Sequence, residues 1–191
     1  MKSKLISINS DRRIVHLNSQ NLSMYNKEIK QLMELALPRL EQHLSKELSF
    51  SLLSYSMLVS TLCQNTSFKQ HKDYFLLQLE KNRVIGYGHA SIECDREMDN
   101  ELIGVINIVA RHPEYRGGKS VIRALLPKCI ECLVQHPIVA IKTWAKKSNT
   151  HSIARTEEMF NKLDGTVIRN KQLSKYTEDL GDSQLFSFDI L

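Results

Sequence analysis

Apolar residues recur at helical spacing over the first third of the chain, every third or fourth position, as on one face of a helix. Pro38 interrupts this pattern and is expected to start a new turn, since proline suits the first turn of a helix. Leu40, Leu44 and Leu48 then continue the apolar stripe. The elements predicted here are a strand over Arg13–Leu17, a helix over Ser23–Leu37 and a helix over Ser51–Cys63.

The middle of the chain changes to short apolar runs separated by polar turns, which is the pattern of β-strands. Asn65–Asp73 is polar and indicates a linker, and tight turns are predicted at Lys81-Asn82 and over Asp95–Asn100. Neighbouring strands joined by such short turns form an antiparallel meander. The three predicted strands are Tyr74–Leu79, Val84–Glu93 and Leu102–Ala110.

Helices and strands alternate in the last third of the chain. The predicted order is a helix over 120–135, a strand over Val139–Ala145, a helix over Ser152–Leu163, and strands over Thr166–Arg169 and Leu185–Ile190. A chain of 191 residues is most simply one domain, so residues 1–191 are assigned to a single domain. The predicted fold class is α/β (α+β), with a mixed, mainly antiparallel sheet flanked by helices.

A glycine-rich basic turn, Arg116-Gly117-Gly118-Lys119-Ser120, separates the third meander strand from the following helix. The first amides of a helix have no intrahelical partner and lie at the positive end of the helix dipole. Glycine lets a phosphate approach the backbone closely, and Arg116 and Lys119 add positive charge. The sequence therefore predicts a site for a phosphate-bearing ligand at this turn.

Two common phosphate motifs do not fit this turn. A nucleoside-triphosphate P-loop needs a glycine five residues before Gly118, where the chain has Pro113. A dinucleotide fingerprint needs a third glycine at the opening of the helix, and none is present.

The segment from Val109 to Gly118, followed by Arg123-Ala124-Leu125-Leu126, resembles the acyl-CoA-binding segment of the GNAT superfamily of N-acyltransferases. The predicted order of helices and strands is also similar to that family. The resemblance implies that amides around Gly117 to Val121 hold the CoA pyrophosphate, and that the strand end bonds the pantetheine arm. The donor-site residues so assigned are Val109, Ala110, Arg111, Arg116, Gly117, Gly118, Lys119, Ser120, Val121 and Asn149.

The chain departs from the family pattern at several positions. The third and fifth residues after the motif arginine are usually glycines, whereas counting from Arg116 they are Lys119 and Val121. Phe160 stands where the family commonly has a tyrosine acid. Either the thiolate leaves unaided or another residue donates the proton. Asn149 resembles an asparagine that contacts the CoA arm, although its spacing to Phe160 is longer than usual.

Acyl transfer to an amine needs a group that accepts the nitrogen's proton. In this family that base is often a carboxylate on the strand before the glycine turn, and Glu101 is the only acid on the face shared with Ile103, Val105 and Asn107. Glu101 is therefore one candidate base, and a solvated acid beside a turn is the alternative. His89, on the neighbouring strand, is the second candidate, because imidazole titrates near neutral pH.

Composition and charge narrow the partners and sites that the chain is expected to have. The formal charge is +5 and the pI is about 9.0, but basic and acidic residues are interspersed, which disfavours a nucleic-acid partner. The most basic cluster, Lys142 with Lys146-Lys147, is assigned to solvated surface. Cys129 and Cys132 fall inside a predicted helix and are assigned to its buried face, and no metal site is predicted.

No apolar stretch approaches the roughly 18 to 20 residues that span a bilayer, and no secretory signal is evident, so a cytoplasmic protein without a membrane partner is expected. The predicted function is acetyl-CoA-dependent transfer of an acetyl or other acyl group to a primary amine. The acceptor is a small molecule or a peptide. A non-catalytic acyl-CoA-binding regulatory module is the alternative. The oligomeric state is not determined by the sequence, and a homodimer is one arrangement left open.

Overall fold

The computed structural model describes residues 12–64, 72–95, 100–115 and 118–191. Within these ranges, none of the helices combines the length and apolarity that crossing a membrane requires. The elements are β1 (Arg12–Leu17), α1 (Leu22–Leu40), α2 (Lys46–Leu52), α3 (Tyr55–Gln64), β2 (Lys72–Glu80), β3 (Arg83–Asp95), β4 (Glu101–Arg111), α4 (Gly118–Leu133), β5 (Ala140–Lys146), α5 (Thr150–Leu163), β6 (Val167–Ile168), β7 (Lys171–Asp179) and β8 (Ser183–Ile190).

In the described part of the chain the strands form an eight-stranded sheet in the order β1-β2-β3-β4-β5-β8-β7-β6. Strands β2, β3 and β4 are consecutive and antiparallel, which confirms the predicted meander. The β2–β3 turn is made by Lys81 and Asn82, whose φ angles of 50° and 65° suit a two-residue hairpin. The mixed, mainly antiparallel sheet flanked by helices is therefore confirmed.

Helices cover the two faces of the sheet unequally. On one face, here called the α4 face, α4 and α5 bury a continuous core that includes Leu125 and Phe160 and reaches across the sheet to Phe186 and Phe188. On the other, the α1 face, α1–α3 bury a core that draws on β1, β2 and β3, with Leu32 at its centre. The α1 face of β5, β8 and β7 lies outside that second core.

Helix α1 corrects the prediction for Pro38, which lies inside the helix rather than at the start of a new turn. Proline removes the hydrogen bond to the carbonyl four residues earlier, here that of Glu34. Since Glu34 is exposed, water can satisfy that carbonyl, and the helix ends two residues after Pro38. The loss is limited at this position because the freed carbonyl lies on the exposed side of the helix.

The prediction of one helix over Ser51–Cys63 is wrong, because the helix is interrupted after Leu52 and a second helix begins at Tyr55. Ser45 caps α2 by accepting the Leu48 amide hydrogen at 3.2 Å, which fixes an earlier start than periodicity indicated. At the break, the Ser54 and Ser56 hydroxyls lie 2.8 Å apart. Local bonds from serine compete with the helix, and the apolar spacing alone does not reveal them.

Strand β7 was not predicted, and the predicted strand over Thr166–Arg169 is reduced to the two residues of β6. The β7 sequence is mostly polar, and Leu173 is its only buried side chain. Strand β7 nevertheless pairs with β8 along seven residue pairs, from Leu173–Ile190 to Asp179–Gln184. Its order comes from this backbone ladder, which a hydrophobic pattern does not report.

Strands β4 and β5 are parallel and pair at only three positions, Ile103–Ala140, Gly104–Ile141 and Val105–Lys142. The carbonyl of Ile106 then accepts a hydrogen bond from the Thr143 hydroxyl at 2.8 Å. Among the described residues, β4 has no β5 partner from Ile106 to its end at Arg111. The two strands therefore separate in the middle of the sheet.

Glycine in β3 lets α4 pack directly on the sheet. A Cβ atom at Gly86 would lie 2.4 Å from Val121 Cγ1 and 3.0 Å from Leu125 Cδ1, whereas one at Gly88 would meet only the Cys129 sulfur at 3.2 Å within 3.4 Å.

We expect Gly86→Ala to lower the free energy of unfolding by about 1–3 kcal/mol, since the added methyl group overpacks the α4 interface. Gly88→Ala, the matched control in the same strand, should lower it less. Denaturant titration of both variants measures the difference. An equal loss in the two would contradict the packing that the structure describes.

Candidate active site

The separation of β4 from β5 leaves one edge of β4 without a strand partner, from Ile106 to Arg111. Helix α4 follows this strand and begins at Gly118. Its first backbone amides have no intrahelical acceptor, so the free strand edge and the helix start are joined by one short turn. Arg116 and Gly117 of that turn lie outside the described residues, and Gly118, Lys119 and Ser120 are described by their backbone alone.

The other residues assigned to the donor site line the end of β4 and the start of α4. Val109 packs against the core of the α4 face and Ala110 against that of the α1 face. Arg111 donates from Nη1 to the carbonyl of Tyr115 at 2.6 Å, across the turn. The Val121 side chain is fully buried, so only its backbone could contact a ligand. Their roles toward CoA stay predictions.

His112 anchors the start of the turn. Its amide donates to the Ile85 carbonyl at 2.9 Å, and its Nδ1 atom accepts the Glu114 amide hydrogen at 3.3 Å. Only 2% of the residue is exposed, and its Nε2 atom has no hydrogen-bond partner in the described parts of the structure. Burial, and secondarily the charge of Arg83, lowers the pKa of His112 below its ordinary value of 6.5.

A β-bulge at Asn107 marks the point where β4 leaves β5. Ala90 pairs with Ile106 and His89 with Ile108, so Asn107 is an extra residue on β4. The bulge reverses which side chains reach each face: Ile106 and Val109 both pack on the α4 side although they are three residues apart. Period-two assignments made before Asn107 therefore do not extend beyond it.

A chain of hydrogen bonds runs from the bulge along the α1 face of β3. Asn107 donates from Nδ2 to the Ser91 hydroxyl at 2.9 Å, and that hydroxyl donates to Glu93 Oε1 at 2.6 Å. Ser91 is 6% exposed. The Asn107 side chain is thereby fixed beside the separating strands, and Glu93 is connected to it through one hydroxyl.

His89 lies on the same face, directly beside the bulge, and forms a short bond with Asp73 of β2. Its Nε2 atom is 2.7 Å from Asp73 Oδ1, and its ring stacks on Phe75 with centroids 4.4 Å apart. A proton on Nε2 donated to the carboxylate leaves Nδ1 as the acceptor. Sequence reasoning assigned Asp73 to a linker. Its two-residue spacing from Phe75 was the available signal, but the pairing of β2 with β3 was needed to connect it to His89.

Glu101, the other predicted base, lies at the opposite end of β4. It pairs with Asp95, is exposed, and precedes Asn107 by six residues, or about 20 Å of extended strand. The structure does not bring it together with His89 or with the donor-site residues. Glu101 stays a prediction without geometric support.

Strand β5 forms the other side of the gap. Trp144 lies two residues beyond the last β4–β5 pair, as Asn107 does on β4. Because Ala145 packs into the α4-face core, Trp144 lies on the α1 face, where it is 48% exposed. A half-exposed indole at the edge of a gap can contact an apolar or cationic ligand.

The basic cluster near this strand is not simply solvated, which corrects its assignment. Lys142 bonds Asp95 at 2.5 Å, with its side chain only 16% exposed. Lys146 pairs with Asp182, and Lys147 pairs with Asp179 at 2.5 Å. Each lysine therefore has an acidic partner, and the last two connect β5 to the β7–β8 hairpin.

An open pocket of about 590 Å³ lies where the α1–α2 turn meets the end of β5. His43 Nδ1 is 3.2 Å from the Ser148 hydroxyl, which connects these two segments. The lining residues are His43, Leu44, Ser45, Leu48, Lys146, Lys147, Ser148 and Asp182. The pocket is mixed in character, with an apolar wall from α1–α2 and charged groups from β5 and the β7–β8 turn.

Asn149 and Phe160 have clear structural positions in α5. The Asn149 side chain caps the helix by accepting the Ser152 amide hydrogen at 3.0 Å. Phe160 is fully buried and stacks on Phe188 with centroids 4.4 Å apart. Phe160 is thus part of the core and has no proton to donate, so any acid in a reaction must come from elsewhere.

Two of the chain's four cysteines lie in the core that α4 buries. Cys129 and Cys132 are buried in α4, and burial raises the pKa of both thiols. No group of three or more His, Cys, Asp or Glu side chains is arranged to hold a metal ion in those ranges.

Comparison with known proteins gives a match at the level of fold. No protein-family profile and no curated protein sequence matches the chain. Among solved structures, an acetyltransferase of the GNAT family from Streptococcus pneumoniae aligns with a TM-score of 0.52 at 11% identity, over 94% of this chain and 99% of that one. This chain has the GNAT fold.

Two further N-acetyltransferase structures align to a similar extent. The PaiA N-acetyltransferase from Thermoplasma acidophilum, solved with coenzyme A, gives a TM-score of 0.57 at 14% identity over 93% of this chain and 98% of that one. Ribosomal-protein-alanine N-acetyltransferase from Brucella melitensis gives a TM-score of 0.55 at 16% identity, over 94% of this chain and 99% of that one. The fold expected from the sequence resemblance is confirmed.

The buried His112 predicts a pH dependence of stability. The folded state favours the neutral imidazole, whereas His112 of the unfolded chain protonates near pH 6.5. The contribution of His112 to the free energy of unfolding is therefore fully present above that pH and is lost as the pH falls below it. His16 and His136 have pKa values lowered in the same direction. We expect His112→Asn, which can still accept the Glu114 amide hydrogen, to reduce this decline.

Thermal unfolding between pH 8 and pH 5 measures the effect, with each variant referred to its own value at pH 8. An unchanged slope in His112→Asn would show that His112 does not contribute to the acid sensitivity.

Proposed function

We propose that the protein is an N-acyltransferase that transfers an acetyl or other acyl group from acetyl-CoA to a primary amine by direct attack on the thioester. The observation that carries this proposal is the separation of β4 from β5 after three residue pairs, on the strand that precedes the glycine turn and α4. The free edge and the helix start together match the two chemical parts of the donor.

The described residues offer the types of group that acyl-CoA would bind. Pantetheine contains two amides, and the edge of β4 from Asn107 to Arg111, beyond the Ile106 carbonyl that Thr143 uses, offers backbone groups that do not pair with β5. Pyrophosphate is an anion, and the first amides of α4, with the positive end of the helix dipole, suit it. Val109, Ala110 and Arg111 would hold the arm, and Gly118 to Val121 would hold the phosphates through their backbone.

His89 is our preferred base. It lies beside the bulge, on the face where the gap is not covered by α4, and Asp73 orients its ring. The amine nitrogen attacks the thioester carbonyl carbon, and its proton passes to Nδ1 of His89. The nitrogen–carbon bond forms, the carbon–sulfur bond breaks, and the Asp73 carboxylate stabilises the imidazolium until it releases the proton to solvent.

The thiolate can leave without a protein acid. Thiols are acidic enough for the thiolate to be an acceptable leaving group near neutral pH. This matters because Phe160, which is buried in the core, stands where the family commonly has a tyrosine acid. The thiolate then takes its proton from water.

The acceptor would approach from the α1 face. Trp144 and the pocket at the α1–α2 turn lie on that side, and neither is covered by α4 or α5. The pocket is open and mixed in character, which suits a small amine or the end of a peptide. The Brucella structure is named for a ribosomal-protein alanine, and a peptide amine is accordingly the first acceptor class to screen.

A non-catalytic acyl-CoA-binding module is the second candidate, and the buried Phe160 is the observation that favours it. Such a module would bind CoA with the same residues and transfer nothing. Binding and turnover therefore have to be measured separately.

The donor site is tested by Gly118→Asp, which places bulk and negative charge at the first residue of α4. We expect the affinity for CoA, measured by calorimetric titration, to fall by at least about tenfold because the new carboxylate repels the phosphates. Gln20→Asp, at an exposed position in the turn before α1, is the control for the added negative charge. Absence of CoA binding by the unmodified protein would overturn the proposal.

The base is tested by His89→Gln. Loss of the proton acceptor should reduce kcat by about 10²–10⁴-fold while CoA affinity is retained. His151→Gln, at an exposed position in α5, is the control. Glu101→Gln discriminates between the two predicted bases, and we expect it to keep turnover close to that of the unmodified protein. A collapse of kcat in Glu101→Gln with normal turnover in His89→Gln would reverse the assignment.

A further inference from the structure

Tyr115, the last described residue before the glycine turn, is held by side chains from the distant edge of the sheet. Its hydroxyl donates to Glu80 Oε1 of β2 at 3.1 Å and accepts a hydrogen bond from Arg12 Nη2 of β1. Arg12 Nε donates to the same Glu80 oxygen at 2.7 Å, which closes a three-residue cluster. The donor-site proposal does not use this cluster.

The cluster is charged and partly shielded from solvent. The Arg12 and Glu80 side chains are 30% and 26% exposed, and the Arg12 guanidinium lies 5.7 Å from the centre of the Tyr115 ring. The hydrogen bond from Arg12 lowers the pKa of Glu80, and the Tyr115 hydroxyl adds to this. Glu80 is therefore a carboxylate that accepts from two donors at neutral pH.

The backbone of Tyr115 is held as well. Its amide donates to the His112 carbonyl at 3.0 Å, and its carbonyl accepts from Arg111 Nη1 at 2.6 Å. Both ends of the residue are thus fixed, one by the strand that precedes it and the other by β1 and β2.

Two consecutive glycines follow Arg116, and glycine loses more conformational freedom on ordering than any other residue. Fixing the residue at the start of such a turn lowers the entropy lost when the turn binds a ligand. The bonds to Tyr115 therefore restrict the backbone next to the two residues of the donor site that have the greatest conformational freedom.

We propose that Arg12, Glu80 and Tyr115 are positioning residues for the phosphates of the donor. They hold Tyr115, three residues before the start of α4, so that the first amides of α4 meet the pyrophosphate in a ready arrangement. This inference rests on the proposed function, because it assigns the cluster to the same donor site.

The test is Tyr115→Phe, which removes the hydroxyl and keeps the ring. We expect its Kd for CoA, measured by calorimetric titration, to rise about tenfold, the scale of one lost hydrogen bond to a charged group. Glu80→Gln, which keeps one acceptor oxygen, should raise Kd less. Glu114→Gln is the control. Glu114 is the residue before Tyr115 and forms an exposed ion pair of 3.1 Å with Arg83 of β3, and its loss should leave the Kd for CoA unchanged.

A second ligand separates positioning from general damage. S-acetylpantetheine lacks the pyrophosphate, so Tyr115→Phe should affect it no more than Glu114→Gln does, and the thermal midpoint should stay near that of the unmodified protein. Equal weakening of CoA and S-acetylpantetheine, or an unchanged Kd for CoA, would overturn the inference while leaving the proposed function intact. If the unmodified protein fails to bind CoA, the proposed function falls and this inference falls with it.

Discussion

Three parallel residue pairs between β4 and β5 determine how the rest of the molecule is arranged. They join the two halves of the sheet, and their early end leaves the remainder of β4 with an unused row of backbone donors and acceptors. Such groups are costly when they are buried and unpaired, so an open edge inside a sheet needs solvent or a ligand. The start of α4 and the hydrogen-bonded pair His89–Asp73 lie around this opening.

The two faces of the sheet treat the opening differently. On the α4 face one core extends from Leu125 under α4 to Phe186 and Phe188 in β8, so both halves of the sheet share it. On the α1 face the helices cover β1 to β4, and the buried residues nearest the gap form a small separate group, Ile103, Val105 and Ala140. The opening is therefore supported from one side and accessible from the other.

The sequence was sufficient for the elements whose side chains carry a strong pattern. The meander, α4 and α5 follow from periodicity and turn chemistry, because the residue types show which positions are buried and where turns fall. Strand β7 was missed since its order comes from pairing with β8, and Pro38 was misplaced because an exposed carbonyl tolerates the lost bond. The hydrophobic pattern of a sequence indicates which side chains are buried, but it does not indicate which backbone groups are hydrogen-bonded to each other.

The candidate site was less predictable for the same reason. His89 was selected from its strand position, but Asp73 became its partner only through the register of β2 and β3. The bulge at Asn107 changed which side chains share a face, and no residue type announces a bulge of this kind. The Tyr115 cluster joins residues 35 and 103 positions apart, a separation at which a single sequence contains no pairing signal.

The unequal support of the two sheet halves also bears on how the molecule unfolds. The halves share the core on the α4 face, whereas on the α1 face the described core group that joins β4 to β5 is the small one of Ile103, Val105 and Ala140. A molecule wedged between the strands would join the two edges through its own amides, so that a saturated protein would unfold as one cooperative unit.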